Sequence, residues 1–178
     1  IDFDFANSSE IFWADQNNQD SAKELILNTK NANDSLGATV LTIIKGAPAG
    51  LGEVLYNKLD ATLASAMMGI NGVKGVEIGD GINVATMLGS QNNDFMDKNG
   101  FKSNHCGGIL GGISNGNDIV IKSYFKPTPS IFKAQPTINL DGNEVICELR
   151  GRHDPCIGVR GSVVATAMAR PVIADMLL

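Results

Sequence analysis

Apolar residues recur at every third or fourth position over residues 55–70, and this spacing constrains the fold more than any other feature. The stripe consists of Leu55, Leu59, Leu63, Met67 and Ile70. Residues spaced in this way lie on one face of an α-helix, so we predict an amphipathic helix that ends near residues 69–72. A cofactor-facing role for Met67 and Met68 is the alternative, but a core stripe is the commoner use of methionine at this spacing.

Strand-like runs lie on both sides of this helix and recur later in the chain. They are residues 38–45, 73–78, 119–125, 137–140 and 144–149. These runs are rich in β-branched residues or alternate apolar with polar residues, which is typical of strands. The sequence Asp-Gly-Asn between the last two runs predicts a β-hairpin.

Weaker patterns complete the outline. Residues 1–5 alternate and predict a strand, and residues 82–88 predict another extended run. Helical spacing begins at Asp20, and we predict an apolar helix over residues 161–178 that Pro171 kinks or breaks. Strands interrupted by three helices, without regular alternation, indicate an α+β fold, and 178 residues suffice for one domain.

Composition excludes several classes of protein. A net charge of −5 argues against non-specific nucleic-acid binding, which requires a basic surface. No apolar run reaches 18 residues, so no membrane span is predicted. The start of the sequence lacks the basic region followed by an apolar region that is typical of a secretory leader, so none is predicted. Three cysteines cannot all pair, which favours reduced thiols and a cytoplasmic location. Because the first residue is Ile, we expect the chain to be a part of something longer.

A six-residue loop, residues 151–156, combines a cation, an imidazole, a carboxylate and a thiol. Pro155 fixes its own φ and biases Asp154 away from helical conformations, so the loop should be irregular and rigid. A rigid loop that carries Arg152, His153 and Asp154 suits catalysis or ligand binding. The alternative is a surface turn whose charges are solvated.

Two further segments have backbones suited to ligand binding. Residues 107–116 contain five glycines, yet they match neither the P-loop nor the dinucleotide-binding fingerprint. Glycine nevertheless lets a backbone approach a flat ligand or a phosphate closely. Lys126 precedes Pro-Thr-Pro-Ser, and in an extended segment the hydroxyls of Thr128 and Ser130 lie on the same side. The alternative for this segment is the end of an edge strand.

Metal binding and cysteine protease activity are poorly matched by the sequence. A metal site would have to use His105, Cys106, His153 and Cys156. Those residues lack the usual spacing of ligands, because no Cys-x-x-Cys pair is present and two of them are adjacent. No sequence around a cysteine is typical of a protease nucleophile.

Six blocks, in order along the chain, resemble the chorismate synthase family. They are GAPAGLGE (46–53), VKGVEIGDG (73–81), GSQN (89–92), GGILGGISNG (107–116), KPTPSI (126–131) and GRHDPC (151–156). The resemblance implies a C-terminal portion of that family's single domain, without the N-terminal half. It also implies a fold in which helices lie between antiparallel sheets.

The resemblance further implies a carbon–oxygen lyase of the shikimate pathway of aromatic amino acid biosynthesis. The family removes phosphate from 5-enolpyruvylshikimate 3-phosphate by anti-1,4-elimination and forms chorismate. It requires reduced FMN without net redox change and is associated with NADP, although the sequence does not indicate how FMN is reduced. A homotetramer without nucleic-acid or membrane partners is implied, and the isolated portion is expected to be inactive. A non-catalytic anion-binding or assembly module is the alternative.

The matched blocks also assign site residues. The positions that contact FMN in the family are Asn71, Gly72, Gly111, Lys126, Pro127, Thr128, Pro129, Ser130 and Arg152. Asp154 occupies the position of a carboxylate thought to drive proton removal through flavin N5, and a carboxylate in a water-poor pocket is a stronger base. Lys126 and Arg152 supply positive charge where negative charge develops as phosphate leaves. Gly72 and Cys106 stand where the family usually has alanine.

Overall fold

The computed structural model describes all 178 residues and divides them into two compact units. Unit 1 comprises Ile1–Ala38 and Lys126–Val159, and unit 2 comprises Thr39–Phe125 and Arg160–Leu178. Neither unit is continuous in sequence. The chain starts in unit 1, enters unit 2, returns to unit 1 and finishes in unit 2.

Helices and antiparallel strands are mixed along the chain. The helices are α1 (Phe3–Ser8), α2 (Gln19–Asn31), α3 (Leu59–Met68), α4 (Gly89–Asn92) and α5 (Gly158–Leu177), with 3₁₀ helices at Gln16–Asn18 and Gly81–Thr86. The strands are β1 (Ala38–Ile44), β2 (Val73–Ile78), β3 (Met96–Asp97), β4 (Gly100–Phe101), β5 (Ile109–Leu110), β6 (Ile113–Ser114), β7 (Ile119–Phe125), β8 (Gln135–Ile138) and β9 (Glu144–Cys147). This mixture confirms the predicted α+β class.

The core of unit 2 forms around a three-stranded sheet with the order β1-β7-β2. Strand β7 pairs with β2 in antiparallel register, with Ser123 opposite Val76, and every second residue of β7 is buried. Helix α3 packs on β2 through a buried face. At the start of α5, Gly161 lies so close to β7 that a Cβ atom there would be 2.6 Å from the Phe125 ring.

The predicted helical stripe is confirmed over most of its length. Leu59, Leu63 and Met67 are fully buried, so Met67 serves the core. The predicted start was wrong, because α3 begins at Leu59 and the side chain of Leu55 is 68% exposed. A turn precedes the helix, in which the Glu53 N–H donates to the carbonyl oxygen of Asn57, and this turn interrupts the helical path.

Two predictions of extended structure were also wrong. Residues 3–8 form helix α1, because the Asp2 carboxylate accepts a hydrogen bond from the Phe5 N–H and so caps a helix. The predicted extended run at 82–88 falls largely in the 3₁₀ helix Gly81–Thr86. The other predicted strands, the hairpin and the helix that begins near Asp20 are confirmed, and α5 continues through Pro171 without a break.

Unit 1 contains α1, α2, the β8–β9 hairpin and the loops beside that hairpin. The hairpin pairs Thr137 with Val145 and Ile138 with Glu144 in antiparallel register. Helix α2 carries no buried residue. None of the helices in the structure combines the length and the apolar character that crossing a bilayer requires.

Candidate functional site

The proline-rich segment, residues 126–130, has no regular secondary structure, as its sequence predicts. Lys126 and Ser130 are exposed, whereas Thr128 is half-buried. The backbone of Thr128 is held in place, because its carbonyl oxygen accepts a hydrogen bond of 2.6 Å from the Ser35 hydroxyl. The Thr128 hydroxyl itself is buried without a hydrogen-bond partner, which costs about 1–3 kcal/mol unless a ligand satisfies it.

The loop over residues 151–155 is likewise irregular. A guanidinium nitrogen of Arg152 lies 3.8 Å from a carboxylate oxygen of Asp154, and their side chains are 77% and 32% exposed. An exposed pair at this distance contributes little to stability, so most of the Arg152 guanidinium is accessible to an anionic ligand. The His153 ring packs edge-on against Phe132, with 4.4 Å between the ring centroids.

The glycine-rich segment of unit 2 forms a short hairpin. Strands β5 and β6 are joined by Gly111 and Gly112, whose φ angles of 63° and 93° belong to a tight two-residue turn. A Cβ atom at Gly111 would meet nothing within 4 Å, so its backbone borders open space. The open space beside Gly111 is compatible with the predicted approach of a ligand to this backbone, and Gly111 stays a predicted contact.

The remaining predicted contacts of unit 2, Asn71 and Gly72, lie in the turn between α3 and β2. Asn71 is exposed, and Gly72 has a φ angle of 93°. The predicted site residues are therefore divided between the two units. Asn71, Gly72 and Gly111 belong to unit 2, and Lys126, Pro127, Thr128, Pro129, Ser130, Arg152 and Asp154 belong to unit 1.

The Asp94 carboxylate, which the sequence analysis did not single out, accepts the hydrogen bonds that hold the segment just before β5. One oxygen of Asp94 accepts hydrogen bonds from the Ser103 hydroxyl at 2.6 Å and the His105 N–H at 2.7 Å. The other oxygen accepts from the Cys106 N–H at 3.0 Å. Burial alone would raise the pKa of Asp94, but the hydrogen bonds from Cys106, Ser103 and His105 outweigh burial and hold this pKa far below its usual value.

The segment that Asp94 holds leads directly into the glycine-rich hairpin. The side-chain oxygen of Asn104 accepts a hydrogen bond from the Gly108 N–H at 2.7 Å, and its amide nitrogen donates to the Asp118 carbonyl. The Nδ1 atom of His105 lies 2.7 Å from an Asp80 carboxylate oxygen. Residues 103–108 are therefore fixed by side chains from several parts of unit 2.

Cys106 is not suited to act as a nucleophile. Burial raises the pKa of its thiol, and the hydrogen bond to the Asp94 carboxylate raises it further. A thiol rather than a thiolate therefore dominates at neutral pH. The sulfur lies 3.4 Å from the side-chain nitrogen of Asn115, so it serves as a weak acceptor within the loop.

Replacing Asp94 by Asn is expected to lower the free energy of unfolding by about 1.5–3 kcal/mol at pH 7. An amide would place an N–H donor against the Cys106 N–H and would remove the charge that strengthens the other bonds. Because the folded-state pKa of Asp94 is depressed, its contribution is present above about pH 4 and is lost on acidification. Urea unfolding from pH 7 to pH 3 should therefore show the difference from wild type narrowing below pH 4.

The matched control for this variant is Asp118→Asn, which changes an exposed carboxylate in the same unit. This control is expected to stay within about 0.5 kcal/mol of wild type at every pH. A constant difference between Asp94→Asn and wild type across the acid range would contradict the assignment of a depressed pKa to Asp94.

Comparison with known proteins identifies close relatives over the whole chain. A family model described as chorismate synthase matches residues 2–178. The chain is 74% identical over 178 residues to a chorismate synthase of Campylobacter fetus subsp. fetus (strain 82-40), which covers 100% of this chain and 50% of that protein. Identity to a chorismate synthase of Helicobacter hepaticus (strain ATCC 51449 / 3B1) is 57% over 177 residues, with 99% and 49% covered. The chain thus spans about half the length of the curated relatives it matches, and it corresponds to their C-terminal half.

A solved structure gives the same result at the level of the fold. The chain superimposes on a structure described as "Crystal Structure of Chorismate Synthase" with a TM-score of 0.80 and 31% sequence identity. The superposition covers 98% of this chain and 47% of that one. The arrangement of helices and antiparallel strands described above is therefore shared with that part of the solved structure.

Proposed function

Because the chain belongs to the chorismate synthase family, we propose that it supplies the C-terminal half of an enzyme that forms chorismate from 5-enolpyruvylshikimate 3-phosphate. The observation that carries this proposal is the family match over residues 2–178. The reaction releases phosphate and a C6 hydrogen from the substrate by anti-1,4-elimination, and the enzyme is a carbon–oxygen lyase that uses reduced FMN.

The residues of unit 1 fit a flavin phosphate cofactor. The buried Thr128 hydroxyl lacks a partner, and Lys126 and Arg152 expose cations that can neutralise an anionic group. Pro127, Pro129 and Ser130 complete the predicted FMN-binding segment in this unit. In unit 2, Asn71, Gly72 and Gly111 remain predicted FMN contacts, with the open backbone of Gly111 as support.

Each proposed role follows from residue chemistry. Reduced FMN, when bound, supplies electron density while phosphate leaves. Arg152 and Lys126 stabilise the negative charge that develops. Asp154 is the proposed proton acceptor, and the Arg152 guanidinium, 3.8 Å away, helps to orient its carboxylate.

Other properties of the proposed enzyme come from family membership alone. We propose that NADP is associated with the full-length enzyme and that this enzyme is a homotetramer in the cytoplasm. Sedimentation of the purified full-length protein tests the assembly.

The direct test of the proposed function compares the full-length protein encoded by the gene with this 178-residue chain. Each is incubated with reduced FMN and 5-enolpyruvylshikimate 3-phosphate, and chorismate is measured by chromatography. We expect the full-length protein to form chorismate and the 178-residue chain to form none, because the chain spans half of its relatives. A folded full-length protein that forms no chorismate would refute the function, and chorismate formed by the chain alone would refute the need for a second half.

Exchanging both cations, Lys126→Ala with Arg152→Ala, is expected to weaken FMN binding by the full-length protein about 10- to 100-fold. Each charge-assisted hydrogen bond to a phosphate contributes about 1.5–3 kcal/mol, and solvent screening reduces that value for exposed side chains. Titration followed by flavin fluorescence gives the dissociation constant.

The double variant Lys30→Ala with Arg150→Ala controls for net charge, because it removes two positive charges, as Lys126→Ala with Arg152→Ala does. Both of these residues are exposed in unit 1. The control should keep FMN affinity within about twofold of wild type. Equal affinities for the two double variants would mean that Lys126 and Arg152 do not bind FMN.

A further inference from the structure

Residues 33–36, which connect α2 to β1, bind the proline-rich segment through both side-chain and backbone groups. The Ser35 hydroxyl donates to the carbonyl oxygen of Thr128 at 2.6 Å. Just beyond the proline-rich segment, the Phe132 N–H donates to the carbonyl oxygen of Asn33 at 3.2 Å. The connector therefore holds the proline-rich segment at two points.

The same connector also binds the loop that carries Arg152 and Asp154. The Leu36 N–H donates to the carbonyl oxygen of Pro155 at 2.7 Å, and Leu36 forms a parallel β-bridge with Cys156. These contacts lie one or two positions beyond Asp154 in the chain. Four consecutive residues therefore join two segments that are far apart in sequence.

An ion pair reinforces the attachment to the proline-rich side. The Lys133 ammonium lies 2.5 Å from an Asp34 carboxylate oxygen, and the two side chains are about half and two-fifths exposed. The hydrogen bond from Lys133, followed by the one from the Ser35 N–H, holds the pKa of Asp34 below its usual value. Because the pair is exposed, its contribution is small, and the half-buried Ser35 hydroxyl is the more informative group to change.

Neither attached segment has regular secondary structure, so no helix or strand fixes its position. Prolines limit the backbone angles within each segment, but they do not determine how the two segments lie relative to each other. Hydrogen bonds to a common third segment do determine that relationship. Small displacements of binding groups cost affinity, because a preorganised site spends less free energy on ordering when its ligand binds.

We propose that residues 33–36 are a brace for FMN binding and that Ser35 is its central positioning residue. The brace holds the Lys126–Ser130 segment and the Arg152–Cys156 loop in one fixed relationship within unit 1. Ser35 acts through Thr128 and does not touch the cofactor. The inference rests on the proposed function, because it gives Ser35 a role in the affinity for FMN.

The test compares Ser35→Ala with Ser35→Thr, which keeps a hydroxyl at the same position, in the full-length protein. Flavin fluorescence titration should show FMN binding about 3- to 10-fold weaker in Ser35→Ala, which is the usual effect of losing one hydrogen bond. Ser35→Thr should restore most of the affinity. The control is Ser8→Ala, which removes a hydroxyl that donates to the Phe5 carbonyl within α1 and should bind FMN like wild type.

Hydrogen exchange supplies a second readout that does not depend on FMN. The amides of Leu36 and Phe132 should exchange faster in Ser35→Ala than in Ser35→Thr or Ser8→Ala, because both donate hydrogen bonds that join the brace to the segments it holds. Thermal midpoints of Ser35→Ala and Ser8→Ala should be similar, which separates positioning from general destabilisation.

The possible results distinguish failure of the brace proposal from failure of the proposed function. If wild type binds FMN and Ser35→Ala binds it equally well, the positioning role of Ser35 is refuted and the proposed function stands. If wild type does not bind FMN, the proposed function and the FMN part of the inference both fail. Unchanged exchange at Leu36 and Phe132 in Ser35→Ala would refute the brace itself, whichever result the titration gives.

Discussion

Replacing Gly79 by Ala is expected to lower the free energy of unfolding by about 2–5 kcal/mol. A Cβ atom at this position would overlap the carbonyl oxygen of His105 and would lie 2.6 Å from the backbone nitrogen of Gly107. Backbone atoms cannot rotate away as a side chain can, and Asp94 holds this stretch in place. Overpacking typically costs 1–3 kcal/mol, and a left-handed φ of 60° adds about 1–2 kcal/mol for alanine. Urea unfolding measures the loss.

Gly46→Ala is a matched control for the conformational part of this effect. Gly46 has a φ angle of 73°, close to that of Gly79, but a Cβ atom there would meet nothing within 4 Å. We expect a loss of about 1–2 kcal/mol, which reports the left-handed backbone alone. Equal losses for the two variants would show that the contact with residues 105–107 does not determine the stability of Gly79→Ala.

Asp154→Asn in the full-length enzyme is expected to reduce turnover by about 10²- to 10⁴-fold, which is the usual contribution of a positioned general base. The amide has nearly the same shape as the carboxylate but cannot accept the proton. Because the two cations assigned to FMN are unchanged, the affinity for FMN should stay within about threefold of wild type. Rates of chorismate formation with reduced FMN, measured beside the flavin titration, separate the two effects.

Asp141→Asn controls for the loss of one negative charge. Asp141 is exposed in the turn of the β8–β9 hairpin, in the same unit as Asp154. Its turnover should equal that of wild type. Wild-type turnover by Asp154→Asn with FMN bound would mean that another group accepts the proton.

The sequence predicted the parts of the fold in which burial is periodic. Strand β7 buries every second residue, and α3 buries Leu59, Leu63 and Met67, so both patterns are visible in the residue types. The hairpin was predictable for a different reason, because Asp-Gly-Asn chemistry selects a tight turn regardless of distant contacts.

The wrong predictions fall where local hydrogen bonds outweigh a short pattern. Five alternating residues suggested a strand at the start of the chain, but the Asp2 cap stabilises helix α1. Leu55 continues the apolar spacing of α3, yet it lies in the preceding turn and faces solvent. In such short segments, a few side-chain and turn contacts decide the structure.

The irregular loops of the candidate site were predictable from proline and glycine. The hydrogen bonds that hold these loops in place were not. Ser35 and Thr128 are 93 positions apart, so no local pattern indicates that they are bonded. Asp94 lies in an Asn- and Asp-rich stretch without periodicity, and residue type alone does not reveal which of its acidic or amide side chains holds the backbone.

The division of the chain into two interleaved units has a consequence for biosynthesis. During translation, Ile1–Ala38 is synthesised long before Lys126–Val159. Unit 1 therefore cannot be complete until more than eighty intervening residues have been translated. Unit 2 in turn lacks α5 until synthesis reaches its last segment. Such distant pairings slow folding and leave apolar surface uncovered in the meantime.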